Sequence, residues 1–154
     1  MAGKSILVEW DDKYSVGIPL IDDHHKELIR LTNELYRGCL AKDDATRDFF
    51  FSTTIRGTMD YIKYHFSAEE KIMENINYPW LAEHKKEHED FVLVVVENVR
   101  NFHDGKKFVP NNFVRFLKDW ILSHIAIVDT QFAKYVMELK KQGKLNQKPE
   151  SLVK

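Results

Sequence analysis

Residues 65–88 read HFSAEEKIMENINYPWLAEHKKEH. His65 and Glu69 stand four residues apart, as do His84 and His88. Positions four apart on an α-helix differ by about 40° in azimuth, so each pair aims two donor atoms at one point. The same chemistry recurs at His25, three residues before Leu28, and at His124, four after Trp120 and three after Ile121. Asp129 follows His124 by five, which is about 140° round an ideal α-helix. That spacing is poor for a single ion held from above, but it works if the two residues flank a larger cluster. Together His25, His65, Glu69, His84, His88, His124 and Asp129 bring five imidazoles and two carboxylates to inward, apolar stripes. Burying such groups without a cation costs several kcal/mol for each unpaired charge. The joint pattern therefore predicts a metal site, although each His alone reads more simply as a core residue.

One tetrahedral zinc takes four ligands and would leave the other donors without a role. Seven donors suit two ions, with carboxylates between them. Imidazole and carboxylate without thiolate favour iron or another borderline divalent metal over copper(I). A neutral imidazole ligates through one ring nitrogen, so each also needs an outer partner for the other. His24 and His103 lie off this pattern. His24 is expected to be solvated beside His25, and His103 suits a helix C-terminus.

Four long segments carry apolar residues at spacings of three and four, and none shows a sustained period of two. They run from about Asp22 to Leu40, Thr46 to Asn75, Pro79 to His103 and Pro110 to Lys141. Asp22 or Asp23 is the expected cap of the first, and Pro79 is expected in the first turn of the third. Gly105 is expected to end the third. Gly57, inside the second, suggests close helix packing. Short connections make neighbours antiparallel, so the expected fold is all-α: an up-down-up-down four-helix bundle with an extended N-terminal arm. The expected organisation is an arm over residues 1–20, the bundle over 21–141 and a polar tail over 142–154. On that layout the seven donors converge near one end of the bundle, provided the fourth helix overhangs with its C-terminal half.

Lys+Arg of 23 against Asp+Glu of 24 leaves no electrostatic case for nucleic acid or an anionic membrane. No apolar run approaches the roughly 18 residues of a membrane span, and the N-terminus lacks the apolar stretch of a signal peptide. Cys39 is the single cysteine, which rules out an internal disulfide and fits a reducing compartment, with cytoplasm the expected location. It is read as a small buried apolar residue. The near-neutral surface makes a monomer the expected state.

The motifs IDDHHKEL, HFSAEE, HKKEH and HIAIVD, in this order, resemble the hemerythrins of the bacterial single-domain type, over about residues 6–140. The Trp10–Gly17–Ile18 arm belongs to the same resemblance. The chain has His24 where the family usually has Gln; the register IDxxHK and the distance to Leu28 favour His25 over His24 as the ligand. The resemblance implies two non-haem iron ions with an oxo or hydroxo bridge, and reversible binding of O2. Carried over, His84, His88 and His124 would fill one iron, and His25 and His65 the other, which keeps an open position. Glu69 and Asp129 would bridge. Apolar groups must line the open position, and the candidates are Leu28, Phe66, Ile121 and Ile125. The implied role is oxygen storage, transport or delivery. The alternatives are an O2 or redox sensor acting through a separate partner protein, and a di-iron peroxidase or oxidase. Five imidazoles argue against vigorous oxidase chemistry, since ferritin-like di-iron oxidases use Glu-x-x-His pairs and more carboxylates.

Overall fold

The computed structural model of the chain describes residues 6–105 and 110–145. Those residues form helices and turns and no strand. α1 spans Pro19–Cys39, α2 Asp44–Asn75, α3 Leu81–His103, α4 Pro110–Ser123 and α5 Thr130–Lys141. A π-helical stretch, His124–Asp129, joins α4 to α5 without a break, so the two make one long fourth helix. The fold is the expected four-helix bundle.

Several ends differ from the pattern. α1 begins at Pro19 rather than Asp22, because the fixed φ and missing N–H of proline suit a first turn. Asp22 therefore caps nothing. Its carboxylate accepts from the Val16 N–H at 2.8 Å and from the Ser15 hydroxyl at 2.5 Å, which ties the arm to the helix. α2 begins at Asp44, and the Asp43 carboxylate accepts the Thr46 N–H at 2.8 Å as its cap. Pro79 lies in the turn before α3, which starts at Leu81. Gly105 closes α3 at φ 69°, a conformation that costs a residue with a Cβ. Residues 1–5 of the expected arm and 146–154 of the expected tail lie outside the described residues.

The arm is held by a buried side chain that the sequence pattern did not single out. Asn33 accepts from the backbone N–H groups of Leu7 and Val8, both at 3.0 Å, and donates to the Val8 carbonyl at 2.7 Å. An extended segment buried against a helix must satisfy its backbone groups somewhere, and Asn33 does so for both polar groups of Val8. Helix packing also departs from expectation. Gly57 has open space where a Cβ would stand. Gly38 is the close approach, since a Cβ there would meet the Phe50 ring. Cys39 is only half-buried, yet burial lifts its thiol to about 11, so it stays an inert apolar group.

The core has two apolar clusters. One holds Leu28, Ile62, Phe66, Phe91, Ile121 and Ile125 among others. The second gathers Val16, Ile18, Ile21, Ile72, Tyr78, Phe132 and Val136. On every helix the candidate donors fall between residues of the two clusters: His25 between Ile21 and Leu28, His65 and Glu69 between Ile62 and Ile72, His84 and His88 between Leu81 and Phe91, and His124 and Asp129 between Ile121 and Phe132. The overhanging α5 is covered by the arm and the α2–α3 turn. The nest of polar groups is thus a layer within the core, with apolar packing on both sides.

Candidate metal centre

All seven expected donors are buried, none more than 4% exposed, and they come together. Glu69, His84, His88 and His124 present ligand atoms within 4.8 Å of one another, as do His25, His65, Glu69 and Asp129. Glu69 belongs to both groups.

In the first group three Nε2 atoms converge. His88 Nε2 lies 3.1 Å from His124 Nε2, which lies 3.2 Å from His84 Nε2. Metal–nitrogen bonds are roughly 2.1 Å long, so neighbouring ligand atoms at right angles sit about 3 Å apart. The observed spacings match. The carboxylates face both ways. Glu69 turns Oε1 to His65 at 3.2 Å and His25 at 3.5 Å, and Oε2 to His84 at 3.1 Å and His88 at 3.5 Å. Asp129 turns Oδ2 to His25 at 2.9 Å, and Oδ1 to His84 and His124, each at 3.2 Å. Each carboxylate therefore gives one oxygen to each half of the centre.

The π-helical stretch positions Asp129. A π turn closes i→i+5, so residues five apart come into line. The 140° separation expected of an α-helix does not apply, and His124 and Asp129 meet at one centre. The Thr130 hydroxyl, which donates to the Ile125 carbonyl at 3.1 Å, satisfies backbone at this stretch.

The donor set is chemically incomplete as it stands. His25 Nε2, Glu69 Oε1 and both Asp129 oxygens are buried and make no hydrogen bond despite their close approach. Buried polar atoms without partners are rare and costly. Electrostatics points the same way. Burial opposes charging of His25, but Asp129 and Glu69 outweigh it and lift the imidazole to about 9. The same balance lifts His84 to about 10. Burial opposes ionisation of Glu69 and Asp129 too, yet the surrounding imidazoles hold both carboxyls below the ordinary range. The layer attracts positive charge, and each of its two groups of donors could hold a metal ion.

Carboxylates and aromatic rings surround the ligand imidazoles, although His124 Nδ1 makes no hydrogen bond. His88 Nδ1 lies 2.9 Å from Glu70 Oε2, and His124 Nδ1 lies 3.3 Å from Glu87 Oε2. Phe66 stacks on His88 with centroids 3.7 Å apart, and Trp120 stacks on His124 at 4.4 Å. Neither glutamate was marked by the sequence pattern, because each faces a histidine on another helix. The expectation for His24 is overturned. It is 4% exposed, and its Nδ1 lies 3.0 Å from His65 Nδ1. Adjacent residues on a helix point about 100° apart, which turns His24 towards α2 instead of into solvent. Burial lowers its imidazole to about 4, with His65 adding to the effect.

A four-helix bundle with a buried layer of imidazoles bridged by two carboxylates defines a class of paired-metal bundle proteins. The Hemerythrin HHE cation binding domain matches residues 16–136, and the chain belongs to that family. It is 31% identical over 130 residues to a bacteriohemerythrin of Stenotrophomonas maltophilia, covering 84% of this chain and 82% of that one. It is 28% identical over 124 residues to a bacteriohemerythrin of Methylococcus capsulatus, covering 80% and 92%. A wild-type hemerythrin crystal structure superposes with a TM-score of 0.75 at 27% identity, covering 83% of this chain and 96% of that one.

Proposed function

We propose that this chain binds O2 reversibly at two iron ions, as an oxygen store, carrier or delivery protein. His84, His88 and His124 would hold one ion and His25 and His65 the other, with Glu69 and Asp129 shared between the two. The observation that carries this reading is the division of each carboxylate, one oxygen to each half of the centre. Bound there, a pair of ferrous ions would supply the electrons for reversible O2 binding.

The chain's own residues set the conditions. The His25/His65 half has one imidazole fewer, which keeps a position for O2. Leu28, Phe66, Ile121 and Ile125 belong to one apolar cluster, and the Phe66 ring lies 5.9 Å from that of His65. These four side chains exclude water from the open position. Excluding water protects a bound, uncleaved ligand from loss by protonation. The imidazole-rich donor set supports binding over oxidase turnover. The single half-buried Cys39 suits a reducing compartment such as cytoplasm, and no described helix is long and apolar enough to cross a membrane.

The test is metal content together with the visible spectrum of the purified protein, cycled between argon and air. A colour that appears in air and fades under argon, with paired iron in each chain, supports reversible binding. Iron that oxidises once and stays oxidised points to sensing or peroxidase chemistry instead. A protein without iron would overturn the reading.

A further inference from the structure

Among the ligand imidazoles, His65 alone has its outer nitrogen against another imidazole. His24 Nδ1 and His65 Nδ1 lie 3.0 Å apart in a buried setting, and only one proton fits between them. Resting on the paired-metal reading above, we propose that His24 is a positioning residue: it accepts the Nδ1 proton of His65 and so holds the His65 Nε2 lone pair towards the metal.

The proton assignment follows from the ring chemistry. A neutral His65 that ligates through Nε2 must carry its proton on Nδ1. His24 Nδ1 must then present its lone pair and keep its own proton on Nε2. The opposite arrangement, with His24 donating, would place the His65 proton on Nε2, 3.2 Å from Glu69 Oε1, where it blocks ligation. The His24 ring is itself fixed. It packs edge-on to His65 with centroids 5.1 Å apart, edge-on to Tyr61 at 5.9 Å, and tilted against Tyr64 at 5.3 Å.

His24 matters more because its half of the centre has little other support. His25 Nδ1 is buried and makes no hydrogen bond. On the other side His88 Nδ1 meets the Glu70 carboxylate at 2.9 Å, while His124 Nδ1 makes no hydrogen bond and lies 3.3 Å from the Glu87 carboxylate. Outer partners of metal-bound histidines orient the ring and raise its basicity, and a carboxylate does so more strongly than a neutral acceptor. In the His25/His65 half His24 is therefore, among the described residues, the one outer partner that orients a ligand ring, and its loss falls on that ion.

The experiment titrates the metal-free protein with Fe2+ under argon against a competing chelator, for the wild type, His24→Phe and His24→Asn. Phe keeps a ring and removes the acceptor, while Asn places an acceptor oxygen near the position of Nδ1. The expected result is one ion bound unchanged by His24→Phe and the other weakened by roughly 10–100-fold, with most of that loss restored in His24→Asn. Thermal unfolding of the three metal-free proteins should agree. Two ions bound alike by wild type and His24→Phe would overturn the proposal. So would equal weakening of both ions with a lowered unfolding temperature, which marks a packing role only. A wild type that binds no pair would overturn both this and the proposed function. In the Zn2+-loaded wild type, proton–nitrogen correlation spectra should place the His65 proton on Nδ1 and the His24 proton on Nε2. A proton on His24 Nδ1 would overturn the assignment without any variant.

Discussion

Glu69 and Asp129 are carboxylates with no exposed surface, each set between imidazoles from different helices. Removing either takes away one oxygen from each half of the centre at once. Glu69→Ala or Asp129→Ala should therefore lose the paired centre, read as iron per chain falling to a single ion or none. Full retention of both ions by either variant would separate that carboxylate from the metals. The proposed pocket residues would act through water rather than through the metal. Ile121 is 5% exposed and lies one turn before His124. A polar side chain there gives water a partner inside the apolar cluster. Ile121→Asn should speed the irreversible loss of the air-formed colour by about tenfold, a change of ~1.4 kcal/mol in barrier. An unchanged rate of colour loss would take Ile121 off the pocket wall.

At the scale of elements, the two glycines of α1 and α2 are a matched pair. A Cβ on Gly38 would stand 1.9 Å from Phe50 Cδ1, so Gly38→Ala must push that half-buried ring aside. The expected cost is about 1–3 kcal/mol. Gly57 sits in mid-helix facing open space. Gly57→Ala should stabilise by up to about 1 kcal/mol through helix propensity alone. Urea unfolding midpoints check both, and a stabilised Gly38→Ala would show that the ring yields freely. These glycines also mark what one sequence could reveal. The four helices and the inward placement of all seven candidate donors were legible, because a period of three to four places His25, His84 and His88 on apolar stripes whatever they face. The π-helical stretch was not. HIAIVD has no composition that marks a wider turn, so α-helical geometry separates His124 and Asp129 by about 140°. Which helix each residue faces was equally hidden. Gly38 meets Phe50, His24 meets His65 and Glu87 meets His124 across helix pairs, and intrahelical periodicity carries no information about such pairings.

For the whole molecule, a polar layer between two apolar clusters would couple the proposed metal binding to folding. Without metal, the layer is held by imidazolium–carboxylate attraction, and this makes stability depend on pH. His25 and His84 rise from an ordinary 6.5 to about 9 and about 10 on folding. Their contribution is complete below about 6.5 and is lost as pH rises through 9 to 10. Glu69 and Asp129 are depressed on folding, so their contribution is present above the ordinary carboxyl range and is lost as pH falls below it. The metal-free protein should therefore be most stable between these limits. Metal held by these residues would replace the imidazolium protons as the partner of the carboxylates, which would remove the alkaline loss and add binding free energy to folding. Thermal unfolding of metal-free and Zn2+-loaded protein at pH 7 and pH 10 reads this directly. The metal-free form should unfold at a clearly lower temperature at pH 10 than at pH 7, while the loaded form changes little, so the gap between them widens. A metal-free protein equally stable at both pH values would mean that the layer is held by packing of the two apolar clusters, with the charges contributing nothing to the fold.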